Sequence, residues 1–196
     1  MKKLVTLAIA IATIAVLGSS CEREVIEPQS QDIDLTARIM DGNQAPQNTC
    51  ATPQSVSLAE ESGNVIGTLE ISNTSTDEMF LNSRLNHGWL LTDVMFYVGD
   101  RNNLPKGNSN IVLEEMPYQF HLANPRIQSI FQVPIGNQAP CFDVVFWFRA
   151  KQYNFFGQVV ATTEGWADGT SILDGYYQSF CPTPCNVQSS SSQSGN

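Results

Sequence analysis

The segment Cys141–Ala150, CFDVVFWFRA, constrains the fold more than any other part of the chain. In extended conformation Phe142, Val144, Phe146, Phe148 and Ala150 share one side, while Asp143, Val145, Trp147 and Arg149 share the other. A period of two carried by aromatic and β-branched residues fits a pleated strand and defeats a helix, whose apolar stripe needs a period near 3.6. Apolar side chains on both sides place this strand in mid-sheet, covered on both faces. Trp89–Val98 (WLLTDVMFYV) has the same two-sided character, and Val65–Ser72 alternates in the same way. Shorter runs at Met79–Asn82, Tyr118–Leu122, Ser129–Val133, Gly157–Thr163 and Tyr176–Phe180 are separated by turn-forming stretches such as GDRNNLPKGNSN (99–110) and PIGNQAP (134–140). No 12-residue window carries an apolar stripe at helical spacing. The expectation is an all-β chain, an antiparallel β-sandwich of about seven or eight strands.

Both ends of the chain differ from this core. Residues 1–20 begin with Lys2 and Lys3, run apolar from Leu4 to Leu17, and close on Gly18, Ser19 and Ser20, the three-part layout of a secretory signal. The apolar run is shorter than the ~20 residues that span a bilayer as a helix. Cys21 directly behind this leader resembles the lipidated cysteine of bacterial lipoproteins, although Gly18 stands where that pattern usually has Leu. Cysteine parity points the same way. Of five cysteines, acylating Cys21 leaves Cys50, Cys141, Cys181 and Cys185, which can pair completely as two disulfides in an oxidising compartment. Three pairings are open. Two prolines between Cys181 and Cys185 disfavour a ring between those two, so Cys50 and Cys141 are each expected to take one of the C-terminal cysteines. Residues 21–49, with five acids between 22 and 34, read as a lipid-anchored flexible tether, residues 50–185 as the sandwich, and 186–196 (NVQSSSSQSGN) as a disordered tail.

The order of segments HGWLLTDVMFYVGD (87–100), PKGNSN (105–110), MPYQFHL (116–122), VPI (133–135) and EGWADGT (164–170) resembles a β-rich domain of surface and secreted proteins of Bacteroidetes and related bacteria. The similarity covers roughly residues 64–180. Met116 stands where that family usually has Phe, and Gly165 where it usually has Ala. The resemblance implies a β-fold and placement at the cell surface, and it implies no activity. The acids behind Cys21 likewise resemble signals that send Bacteroidetes lipoproteins to the outer face of the outer membrane.

Chemistry is expected more from binding than from catalysis. A net charge of −9, or −11 once Lys2 and Lys3 leave with the leader, opposes the phosphate contacts on which nucleic-acid affinity rests. His87 and His121 stand in no zinc-ligand spacing, and neither a nucleophile elbow nor a phosphate-cradling loop is present. No cofactor, metal or catalytic residue is therefore assigned. Glu114, Glu115, Glu164, Asp168 and Asp174 are turn-proximal acids that a hydrolase could use. Asp100, Asn102, Asn103, Asn108 and Asn110 offer oxygen atoms to calcium, without EF-hand spacing. Trp166, before Asp168-Gly169, reads as a structural corner. Tyr153, Phe155 and Phe156 are the ligand-binding candidates, because apolar rings at a hairpin tip are unusual unless they meet something. The expected role is an envelope binding or adhesion module, anchored in the membrane through its N-terminal lipid, whose partner is a glycan or an envelope protein. The alternative is an exported hydrolase, or an accessory subunit of one, working through its loop carboxylates.

The leader and the cysteine parity predict that Cys21→Ser moves the protein from the membrane fraction to the soluble fraction. Detergent-phase partitioning and intact mass of the protein from its native host check this. A water-soluble wild-type product without acyl mass would refute it.

Overall fold

Alternating apolar residues can bury one side of a strand only if another layer covers it, and here the strands supply that layer themselves. The computed structural model describes residues 37–40, 46, 48–74, 77–86, 88–136 and 140–185. The leader, Cys21, His87 and the 186–196 tail lie outside the described residues. Eleven strands form: β1 (Arg38–Met40), β2 (Gln54–Glu60), β3 (Val65–Asn73), β4 (Glu78–Leu85), β5 (Trp89–Gly99), β6 (Tyr118–Arg126), β7 (Gln128–Pro134), β8 (Phe142–Tyr153), β9 (Val159–Ala167), β10 (Thr170–Ile172) and β11 (Gly175–Phe180). Eight coincide with the alternating runs in the sequence. β1, β2 and β10 are additional, because they are short or carry few large apolar residues. β1 belongs to the stretch assigned to the tether: Ala37 is buried in the core, and Arg38 Nε donates to Gln132 Oε1 at 2.7 Å across the β1–β7 pair. The sheet therefore begins before residue 50.

Every strand pairing among the described residues is antiparallel. One leaf runs β1-β7-β4-β3-β2, and it passes through the β2–β9 pair into a second leaf, β9-β8-β5-β6. β8 gives one edge to β5 and divides the other between β11, at Phe142–Val144, and β9, at Trp147–Tyr153. The chain is thus a β-sandwich made by one sheet curling onto itself.

The space between the leaves is filled by aromatic and aliphatic side chains. Phe96 of β5, Phe131 of β7 and Phe146 of β8 meet with ring centroids 5.6–6.1 Å apart, and Phe120 of β6 lies 5.0 Å from Phe131. Such offset and edge-on pairs add to area burial, itself worth ~1.5–3 kcal/mol for each fully buried large side chain. The two outer faces differ. On the first leaf a polar net covers the surface: Asn82 donates to Glu70, Gln128 to Asn82, and Gln132 to Glu78. On the second leaf the β5–β6 connection, residues 100–117, folds back over the sheet. Its Leu104, Ile111 and Met116 bury against Tyr97 and Val145 as a second core. Arg101 pins the connection, reaching Asp143 Oδ2 at 3.1 Å and stacking over Tyr177 at 4.1 Å. Cys50 is bonded to Cys185, and Cys141 to Cys181.

The two leaves join through three residue pairs, Leu58–Ala167, Ala59–Trp166 and Glu60–Gly165, beside a bulge at Ile66 of β3, opposite Leu58 and Ala59. Closure there requires glycine. A Cβ at position 165 would lie 1.9 Å from the carbonyl oxygen of Ala59, well inside van der Waals contact. Glycine at position 165 is thus dictated by this junction. Gly165→Ala is expected to destabilise the domain by roughly 1–3 kcal/mol or more, since backbone must move to admit the methyl group. Chemical denaturation measures it, and an unchanged midpoint would mean the junction is looser than described.

Candidate functional site

Register fixes what the outer face of the second leaf presents. On this face Asp93 of β5 pairs with His121 of β6 and Arg149 of β8, and Arg149 pairs with Glu164 of β9. The next row along the strands holds Met95, Trp147 and Trp166. A charged row therefore lies beside an aromatic one. Arg149 joins them: Nε donates to Glu164 Oε1 at 2.7 Å, Nη1 lies 3.7 Å from Asp93 Oδ2, and the guanidinium sits 5.3 Å from the Trp147 ring centre. Asp93 also accepts from Thr92 Oγ1 at 2.8 Å and meets His121 Nδ1 at 2.7 Å. Burial pushes its carboxyl upward, but the His121 and Thr92 hydrogen bonds and the Arg149 charge outweigh burial and hold it below the ordinary aspartate range.

Next to these rows a cleft of about 520 Å³ opens. Trp147, Trp166 and Tyr176 supply aromatic lining, with Leu113 and Val65 at its margins. Trp147 is 3% exposed and forms part of the base, whereas Trp166 is half-buried and Tyr176 is 39% exposed. Five carboxylates line the same space: Glu60, Glu61, Glu164, Asp168 and Asp174. Glu60 accepts hydrogen bonds from Ser62, Asn64 and Thr163, which lower its carboxyl below the usual range. Asp168 Oδ1 accepts from Gly169 N at 2.7 Å, and Asp174 Oδ1 from Ile111 N at 2.8 Å. Asp174 follows Leu173, whose φ of 54° is the one positive value among the described non-glycine residues. The β10–β11 turn thus accepts a conformation leucine disfavours while its next residue ties strand hairpin to covering loop.

Three of the five acids singled out from sequence, Glu164, Asp168 and Asp174, meet in this cleft. Glu114 and Glu115 stand exposed on the 3₁₀ turn Leu113–Glu115 and do not line it. Trp166 lies inside β9 and not in the turn after it, because the strand continues to Ala167 to form the leaf junction. Its ring also packs on Gly175, where a Cβ would approach to 3.1 Å. Of the oxygen donors proposed for calcium, Asp100 is engaged as a cap, its Oδ1 accepting from Asn102 N at 2.9 Å. Asn110 Nδ2 donates to Ile111 O. Tyr153, Phe155 and Phe156 sit at the β8–β9 tip, away from the cleft lining. Glu60, Glu61 and Trp147 were not singled out from sequence as site residues. Glu60 and Glu61 come from the far end of β2, and only the β2–β9 pairing brings them beside Glu164.

Compared with protein-family models, curated proteins and solved structures, the chain matches none.

The Asp93 carboxyl, lowered on folding, stabilises the domain at pH values above its unfolded range near 4, and this contribution disappears as pH falls through the lower folded value. Asp93→Asn is expected to lower stability at pH 7 and to flatten the loss of stability between about pH 5 and pH 2. Urea midpoints across that range check it. Equal slopes for both proteins would show that the Arg149 and His121 contacts carry no net charge stabilisation.

Proposed function

We propose that this domain is a binding module of the cell envelope, tethered through a lipid on Cys21 at the outer membrane and facing the cell surface, and that its cleft takes a saccharide. The observation that carries the reading is the pairing of accessible Trp166 and Tyr176 ring surface with fixed carboxylates in one cleft. Flat aromatic rings stack on the C–H faces of pyranose rings, and carboxylate oxygens accept from sugar hydroxyls in charge-assisted hydrogen bonds. A volume of about 520 Å³ lies within the range of small-ligand sites. The disulfides agree with export to an oxidising compartment.

Binding is favoured over hydrolysis by how the acids are held. A general acid at neutral pH needs a carboxyl kept protonated, and Glu60 is displaced in the opposite direction. Glu164 is spent on Arg149, and Asp174 on the Ile111 backbone. Carboxylates held in this way are placed to accept from ligand hydroxyls.

A glycan array with the wild-type protein, followed by calorimetry on the strongest hit, tests the reading. Tyr176→Ala is expected to weaken binding about tenfold or more, the loss of one stacking ring, while stability stays within about half a kcal/mol. Phe155→Ala should leave glycan affinity unchanged. Equal binding by wild type and Tyr176→Ala, or cleavage of the bound glycan, would overturn the proposal.

A further inference from the structure

The β8–β9 hairpin outruns its neighbours. The last β5 partner of β8 is Trp89, opposite Gln152, and β2 meets β9 only from Gly165 onward. At the tip Asn154 closes the turn: its carbonyl accepts from Gly157 N at 3.0 Å, and its N–H donates to Gln158 O at 2.9 Å. Its side-chain Oδ1 accepts from Phe156 N and Gln158 N, and Nδ2 reaches Gln158 Oε1. Gly157 supplies the positive φ, 76°, that this turn needs. The turn is thus closed by its own hydrogen bonds, yet Phe155 is 99% and Phe156 82% exposed. Val159 and Val160 behind them are 49% and 59% exposed. A rigid turn that holds two rings in water incurs a solubility cost that surface turns normally avoid.

We infer that this tip is a membrane-inserting element: Phe155 and Phe156 enter the boundary between headgroups and acyl chains of a lipid bilayer. Three observations select lipid as the occupant. First, the tip is apolar, and Asn154 takes up the N–H groups of Phe156, Gly157 and Gln158, which lowers the cost of bringing these donors to a boundary that offers few hydrogen bonds. A protein partner would ordinarily be met with directional polar groups as well. Second, in a chain of net charge −9 the stretch from Ala150 to Thr163 contains no acid and one charge, Lys151. Lys151 lies four residues before Phe155, where a side chain can meet a lipid phosphate while the rings go deeper. The acidic remainder of the surface is repelled from anionic headgroups, so contact is confined to the tip. Third, Ala37 lies sixteen residue steps beyond Cys21. Extended, these steps span roughly 55 Å, more than the ~40 Å breadth expected of a domain this size, so the lipid proposed on Cys21, on which this third point rests, leaves the tip within reach of the same bilayer. The inference is independent of the saccharide cleft.

The test places an indole at the tip of the full-length protein. Phe155→Trp is mixed with vesicles of phosphatidylethanolamine and phosphatidylglycerol carrying brominated acyl chains, and its emission is read against wild type, whose Trp89, Trp147 and Trp166 lie elsewhere. The expected result is a blue shift of the added emission and its quenching by the bromines. Adding Phe156→Ser should cut vesicle partitioning about tenfold while the melting temperature holds. Because the readout is local to the tip, it does not depend on how the N-terminus is attached, and Tyr176→Ala should not alter it. An added indole that keeps a water-exposed emission overturns the inference. So does a blue shift that grows with protein concentration and ignores bromine, which would assign the tip to contact between copies of the chain.

Discussion

The double burial of β8 is the constraint on which the rest of the molecule depends. Phe142, Val144, Phe146, Phe148 and Ala150 face the space between the leaves, and Val145 and Trp147 face the covering loop. A strand hydrogen-bonded along both edges and covered on both faces has no freedom of register, since a slip by one residue would drive Asp143 and Arg149 into the aromatic core. Its neighbours inherit that register. β5 brings Asp93 to Arg149, β9 brings Glu164 to Arg149 and Trp166 to Trp147, and β11 brings Tyr177 under Arg101. The cleft is the outward expression of packing that is settled on the other side of the same strand.

How much of this could be read from sequence depends on the range of the interaction. Local alternation located eight strands and the mid-sheet place of Phe142–Ala150, because period-two burial is written residue by residue. β2 escaped notice because QSVSLAE carries only Val56 and Leu58 as large apolar residues, and β1 and β10 are three residues long. The hairpin tip was legible for the same local reason, Asn-Phe-Phe-Gly lying between two alternating runs. The cleft was legible only in part. Glu164, Asp168 and Asp174 lie within eleven residues of one another, but Glu60 and Glu61 arrive through a junction about a hundred residues away in the chain. Nor does any local feature of 100–117 announce that its Leu104, Ile111 and Met116 will be spent as a second core.

The disulfides act where hydrogen bonding is thinnest. Cys141 and Cys181 adjoin the short β8–β11 ladder, only three residue pairs long, and their bond closes a separation of 40 residues. Cys50 and Cys185 close one of 135 and lie where Asn73 hydrogen-bonds Thr183. In the chain-entropy account closures of this length are worth about 4–5 kcal/mol each. That matters most for β11, which carries Tyr176 and Tyr177. Its three-pair ladder to β8 alone would fray, whereas a covalent tie at Cys181 keeps one wall of the cleft and the stacking partner of Arg101 in place.

Cleft and tip are two ends of one hairpin. β9 (Val159–Ala167) starts beside the exposed phenylalanines and carries Trp166 to the aromatic lining, and the nine residue steps from Gly157 to Trp166 cover about 30 Å when extended. Charge separates the ends as sharply as distance does: the tip contains Lys151 and no acid, and the cleft gathers five carboxylates. The β8–β9 ladder between them is continuous over seven residue pairs, with a single irregularity near Tyr153. A hairpin of that stiffness, inserted at its tip, would hold the cleft at a fixed height and angle above the bilayer, which a lipid on a peptide tether cannot do. If both proposals hold, a lipid on Cys21 sets the location of the domain, and the hairpin its orientation.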